Sequence, residues 1–176
     1  MAADVSEVMR QSQSWWPADY GHYGPLLIRL AWHAAGSYRV SDGRGGSEGG
    51  RIRFDPERSW GDNTNLDQAR RLLEPVKTKY GSSLSYGDLY IIAGNTAIQS
   101  MGGRILGFCA GRVDDDDGWS SRMLGPNEEW QEKVFPCGDD PHNCTGLGAS
   151  ERELIYVNPG GVAGKPLPKL SATNIR

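Results

Sequence analysis

The sequence has little net charge of either sign. Over 176 residues, 19 Lys and Arg stand against 22 Asp and Glu, a formal net charge of −3. Without a basic field there is nothing to draw in nucleic acid or an anionic membrane, and neither is expected as a partner. Long apolar runs are also missing. No stretch approaches the roughly 18 residues that a membrane helix needs, and the N-terminus lacks the charged-then-apolar pattern of a signal segment. A soluble, most simply cytoplasmic, protein is expected. The hydrophobic fraction of 38% is low, and 24 Gly and 10 Pro without a repeat point to a loop-rich globular segment.

Cysteine is sparse, with three residues, and so is histidine, also with three. Cys109 lies in Gly107-Phe108-Cys109-Ala110-Gly111, a setting that suits a small core filler. Cys137 and Cys144 flank a loop of Gly, Asp, Pro and Asn, where a disulfide and two free thiols are both compatible with the spacing. Asn143-Cys144-Thr145 matches the glycosylation acceptor pattern, which matters only in a secreted protein. The run Asp114, Asp115, Asp116 and Asp117 has the charge of a cation site. Consecutive acids without alternating ligands read instead as a solvated loop.

Three helices are expected. Pro25 suits a first helical position, and Leu26, Leu27, Leu30, Ala31 and Ala34 follow at helical spacing until Gly36. Asn65 can cap a second helix, with Leu66, Ala69, Leu72, Leu73, Val76 and Tyr80 on one face; Pro75 should kink it and Gly81 close it. Ser85 and Asp88 form a capping-box-like start to a third, whose Leu89, Ile91, Ile92, Ala93, Ala97 and Ile98 make a broad apolar face ended by Gly102-Gly103. Residues 1–20 are polar and carry Trp15 and Trp16 as packing residues at a chain entry. A long Gly-, Arg- and Asp-rich connection spans residues 37–65, and residues 109–176 read as loop. The class is mainly α, and three helices are few for this length, so their apolar faces are expected to lack partners.

On the first helix Arg29, Trp32 and His33 stand at i, i+3 and i+4, which puts guanidinium, indole and imidazole on one face. Taken singly, each has an ordinary reading as a surface cation, a core aromatic or a satisfied core histidine. Together they supply what cleavage of a peroxide O–O bond requires. An imidazole of pKa about 6.5 can take a proton from one oxygen and return it to the other. A permanent cation stabilises the charge on the departing oxygen. Side chains alone cannot move the electrons, so a metal cofactor such as haem is also needed.

Arg29-Leu30-Ala31-Trp32-His33 resembles the distal motif of class I haem peroxidases. Further blocks resemble catalase-peroxidases in particular: the stretch Trp15-Trp16-Pro17-Ala18-Asp19-Tyr20-Gly21-His22-Tyr23-Gly24-Pro25, then Asp42-Gly43-Arg44-Gly45-Gly46, Ser59-Trp60-Gly61-Asp62-Asn63, Ala93-Gly94-Asn95 and Ile155-Tyr156-Val157-Asn158-Pro159. They run in family order over almost the whole chain, and the match is weakest across residues 114–153.

The resemblance implies roles. Arg29 and His33 match the pair that cleaves hydrogen peroxide, and Trp32 the tryptophan beside the haem. Asn63 matches the asparagine that accepts from the distal histidine, and Asp62 the aspartate of the access channel; without the resemblance, Asp62-Asn63 would read as a turn and a helix cap. Tyr156 matches a tyrosine covalently joined to the distal tryptophan and to a methionine, an adduct that underlies catalase activity. Met101 and Met123 occupy other contexts and do not match that methionine, which should lie beyond Arg176.

The family's proximal Gly-Gly-His-Thr motif is missing, and neither His22 nor His142 has the helical apolar setting of an axial ligand. The expectation is therefore the distal half of an N-terminal haem domain over residues 1–176, part of the class I haem peroxidase helical fold with long loops, truncated at both ends and holding no iron ligand of its own. Its parent would be a bifunctional enzyme of oxidative defence with one haem b, acting on hydrogen peroxide and small electron donors as a homodimer or homotetramer. An ascorbate-peroxidase-like enzyme and a non-enzymatic haem-binding module are the alternatives.

Overall fold

The computed structural model describes residues 1–38, 43 and 45–124. Four α-helices carry the fold: α1 (Ala2–Arg10), α2 (Gly24–Ala35), α3 (Leu66–Tyr80) and α4 (Tyr86–Ser100), with short 3₁₀ turns between them. Among the described residues there is no β-strand, only two isolated bridges, and no helix is long and apolar enough to cross a membrane. The expected helical class is what is found.

The expected apolar faces of α2, α3 and α4 do find partners, in each other and in α1. Leu27, Leu30 and Ala34 of α2 meet Leu89, Ala93 and Ala97 of α4 in one core with Leu66, Ala69, Leu72, Leu73 and Val76 of α3. The most extensive pairing is α2 with α4. It is close because Gly94 has no side chain: a Cβ there would stand 2.4 Å from the Ala31 Cβ.

The first helix was not foreseen. Val5, Val8 and Met9 recur at three and four, a short signal inside a polar stretch, and the structure buries Val5 and Met9 against the core. Asp4 ties α1 to the end of α3 through Lys79 and through the Tyr80 hydroxyl, which donates to it at 2.7 Å. These bonds, Lys79 foremost, hold the Asp4 carboxyl well below the usual carboxylate range. Trp16 packs on the core as expected, whereas Trp15 lies at the surface with the Arg71 guanidinium 4.0 Å over its ring.

Helix α3 carries Pro75 inside it and ends at Tyr80 before Gly81. Several local expectations need correction. Asn65 precedes α3 with φ of 67° and makes no side-chain cap bond, so it serves by adopting the left-handed conformation. Half of the capping box forms at α4: the Asp88 N–H donates to Ser85 Oγ at 3.1 Å. The Asp88 carboxylate turns instead to Arg112 at 2.8 Å and the Gly111 N–H at 2.7 Å.

Asp114 is not a solvated loop acid. Its carboxylate accepts from the Tyr86 N–H, at 2.7 and 2.9 Å, and from the Gly87 N–H at 3.3 Å, and Lys77 Nζ lies 3.5 Å away. It thus satisfies orphan donors at the positive end of α4. Cys109 is not a core filler either: residues 101–110 run along the surface and leave it exposed. Its apolar neighbours are equally uncovered, so they make no core for it. Cys137, Cys144, His142, Met123's side chain, Asp42, Arg44 and Tyr156 lie outside the described residues.

Candidate active site

Helix α2 begins where Pro25 occupies its first turn and the Gly24 N–H donates to His22 Nδ1 at 3.0 Å. His22 is thereby used at the helix start, bonded to the residue just before Pro25. One turn and a half later the same helix carries Arg29, Trp32 and His33. Their environments differ sharply: His33 is 5% exposed, Trp32 46%, and Arg29 half-buried. The core side of α2 covers the imidazole and leaves the indole at the edge.

The opposite wall comes from two 3₁₀ turns, Glu57–Ser59 and Gly61–Asn63, joined at the buried Trp60. The chain folds back on itself there: Trp60 N–H donates to the Glu57 carbonyl at 3.2 Å, and Asn63 N–H to the Trp60 carbonyl at 2.9 Å. This brings the Asn63 side chain under the same Glu57 carbonyl, to which its Nδ2 donates at 2.6 Å. Asn63 Oδ1 then lies 2.7 Å from His33 Nδ1.

That chain of bonds settles a proton. The Glu57 carbonyl can only accept, so the Asn63 amide must present its nitrogen to it and its oxygen to His33. His33 Nδ1 therefore carries the hydrogen and donates. In the neutral ring Nε2 is left with the lone pair, and it faces the Asp62 carboxylate, with Oδ2 at 3.8 Å.

Arg29 reaches across from α2 to the same turn. Its Nη1 donates to the Thr64 carbonyl at 2.9 Å and its Nη2 to the Asp62 carbonyl at 2.6 Å. The cation thus braces helix against loop and also repels a proton on His33. Burial is the largest cause holding the His33 pKa below its usual 6.5; Asn63 and Asp62 pull it up, and Arg29 pushes it down. The outcome is a neutral imidazole at neutral pH, with its basic nitrogen directed toward the Asp62 carboxylate.

Five residues singled out from the sequence, Arg29, Trp32, His33, Asp62 and Asn63, are brought to one place although they come from segments about thirty residues apart, the His33–Asn63 separation being 30. Tyr156 cannot be placed beside them, because it is outside the described residues. One contributor escaped sequence reading: Glu57, whose carbonyl holds Asn63 and whose own side chain is fully buried. An acid between Pro56 and Arg58 in a polar loop carries no signal of burial.

Among the described residues no group of three or more His, Cys, Asp or Glu is placed to hold a metal ion. The donor set suits a flat prosthetic group approached from one side. A tryptophan nearly half exposed presents an apolar plane; beside it stand an imidazole with a lone-pair nitrogen and a cation, on the same helical face. These features fit a planar group such as haem lying against α2.

A model of the peroxidase family matches residues 3–155. The chain is 54% identical over 175 residues to the catalase-peroxidase of Geobacillus thermodenitrificans, covering 98% of this chain and 23% of that protein. It is 52% identical over 176 residues to catalase-peroxidase 2 of Cellvibrio japonicus, and 52% identical over 178 residues to the catalase-peroxidase of Escherichia coli. These alignments cover 99% and 98% of this chain, and 23% of each relative. The chain therefore spans about a quarter of the length of the relatives it matches.

Proposed function

The chain belongs to the peroxidase family, and from that premise we propose that it is the peroxide-handling part of a haem catalase-peroxidase, which disproportionates hydrogen peroxide and oxidises small electron donors with it. The observation that carries this reading is the His33–Asn63 bond of 2.7 Å together with the Asn63–Glu57 bond of 2.6 Å. They fix a buried neutral imidazole with its basic nitrogen pointing away from Asn63, the arrangement a proton shuttle needs.

Hydrogen peroxide would lose a proton from one oxygen to His33 Nε2 and receive it back on the other, which leaves as water. Arg29, on the same face, stabilises the negative charge that builds on the departing oxygen. Asp62, 3.8 Å from Nε2, can hold water or a second peroxide by accepting a hydrogen bond. Trp32 would lie against the haem, which when bound supplies the electrons for O–O cleavage. No Gly-Gly-His-Thr motif occurs among the 176 residues, so the residues here that would contact the haem are Arg29, Trp32 and His33. One haem b, a homodimer or homotetramer and a cytoplasmic site belong to the same proposal.

The catalase part of the reading turns on a covalent Trp32–Tyr156 link. Peptide mass spectrometry of the intact protein after exposure to haem and peroxide is the test. A crosslinked Trp32–Tyr156 peptide is expected; its absence, with peroxidase turnover retained, would reassign the protein to the peroxidases without catalase activity.

A further inference from the structure

Glu57 is the most anomalous side chain among the described residues. It is fully buried, and neither carboxyl oxygen has a hydrogen-bond partner there. A buried carboxylate without partners is strongly disfavoured. Two cations face it from neighbouring elements: Arg51, in the 3₁₀ turn Arg51–Arg53, and Arg70 of α3. Neither makes a hydrogen bond to it. Arg51 Nη1 instead donates to the Gly45 carbonyl at 2.8 Å and Arg70 Nη1 to the Ile52 carbonyl at 3.1 Å. Arg51 Nε is itself buried without a partner. A carboxyl and a guanidinium are thus close enough to feel each other's charge but remain uncoupled.

The backbone of the same residue is the anchor of the site. The Glu57 carbonyl accepts from the Asn63 amide and from the Trp60 N–H, and Asn63 holds His33. Any movement of the Glu57–Ser59 turn is therefore passed to the imidazole through two hydrogen bonds.

We propose that Glu57 is a positioning residue for His33: its charge state decides whether Arg51 and Arg70 stay on their main-chain carbonyls or swing to the carboxylate, and so sets the turn that grips Asn63. With Glu57 neutral, the arrangement described above is the stable one. When Glu57 ionises, the buried donor without a partner, Arg51 Nε, is recruited. The turn then shifts, and the Asn63 amide moves with it.

Burial pushes the Glu57 carboxyl up to about 8 against the opposing pull of Arg51 and Arg70. The protonated form accordingly prevails at neutral pH, and the change falls in the mildly alkaline range. His33 has its own titration below 6.5, so the two events are separable along the pH axis.

This inference rests on His33 being the proton-transferring base, yet its test does not depend on turnover. Ring-nitrogen NMR shifts of His33 in the intact protein are followed with pH, alongside difference infrared spectra of the carboxylic acid band. The wild type should show the low-pH titration and then a second step centred at about 8, coincident with loss of a carboxylic acid band. Glu57→Gln, neutral at every pH and nearly the same shape, should keep the first step and lose both signs of the second. A second step that persists in Glu57→Gln, or a wild type whose His33 shifts stay flat across that pH, would overturn the proposal. Infrared on the wild type alone decides if the variant does not fold: no band lost at that pH also overturns it. A clear second step in a protein inert to peroxide would leave the positioning role intact and sink the functional reading instead.

Discussion

Replacing Gly94 with Ala should damage the site without touching it. The added Cβ would stand 2.4 Å from the Ala31 Cβ, whereas carbon atoms rest about 3.5–4.0 Å apart. The overlap is therefore more than about 1 Å. Neither atom sits on a flexible side chain, so it is relieved only by moving α2 away from α4. Overpacking of this kind costs about 1–3 kcal/mol, and a clash between two backbone-fixed carbons belongs at the upper end. Alanine recovers about 0.8–1.0 kcal/mol over glycine within a helix, which leaves a net loss of about 2 kcal/mol. Ala31→Gly removes the atom that the new methyl meets and by itself costs about 1 kcal/mol. In the double variant the overlap is gone, so its loss should fall short of the sum of the singles by about 1–3 kcal/mol. Urea unfolding, followed through the six tryptophans, measures all four proteins. Because Ala31 immediately precedes Trp32 and His33, Gly94→Ala should also slow the reaction with peroxide, and the double variant should recover part of it. Additivity of the single effects within about 0.5 kcal/mol would refute the close crossing as the cause.

Three further outcomes are expected. Asn63→Ala leaves the buried His33 Nδ1–H without its acceptor, so stability should fall by about 1–3 kcal/mol; in stopped-flow mixing, reaction with hydrogen peroxide should slow on the order of tenfold to a hundredfold. The folded-state pKa of His33 is lowered from 6.5, so the basic form is already present at that pH: the loss of peroxide reactivity that follows His33 protonation should appear only at lower pH, apart from any change at the Glu57 step at about 8. In the same direction the unfolded chain binds the His33 proton more tightly, so the His33 contribution to stability is complete above 6.5 and lost as pH falls through and below it; in a Glu57→Gln background, which removes the opposing titration of Glu57, urea midpoints that rise on acidification through this range would contradict the burial argument. Trp32→Phe should abolish oxygen evolution from hydrogen peroxide while sparing oxidation of small donors, and equal loss of both activities would rule out the adduct.

Much of this was legible in the residues themselves, for reasons that are local. The helix starting at Pro25 and the apolar rows of α3 and α4 are periodic signals read within a dozen residues, and the i, i+3, i+4 triplet of α2 needs no tertiary information. What was hidden depended on distant partners. Asp114 reads as one of four equivalent acids until the N-terminus of α4 is brought to it. Cys109 looks like core because its neighbours are apolar, but among the described residues that segment lies exposed at the surface. Glu57 looks like a surface acid and is fully buried, with Arg51 and Arg70 brought near its carboxyl from neighbouring elements. Helix α1 is short, and its apolar signal was diluted by polar neighbours; it is held by the core that buries Val5 and Met9 and by bonds to Tyr23, Lys79 and Tyr80, all outside the helix.

The brace made by Arg29 has a consequence for how such a site can diversify. Its two acceptors, the carbonyls of Asp62 and Thr64, belong to the main chain and survive any substitution at those positions. The distance between helix and loop is thus insulated from the identity of the loop side chains. At position 62 one residue has two separable inheritances: a carbonyl that keeps the architecture, and a carboxylate that faces the imidazole and can be exchanged to alter what is admitted there. A lineage, or a directed-evolution library, can therefore explore chemistry at position 62 while Arg29 and His33 stay in register with the loop.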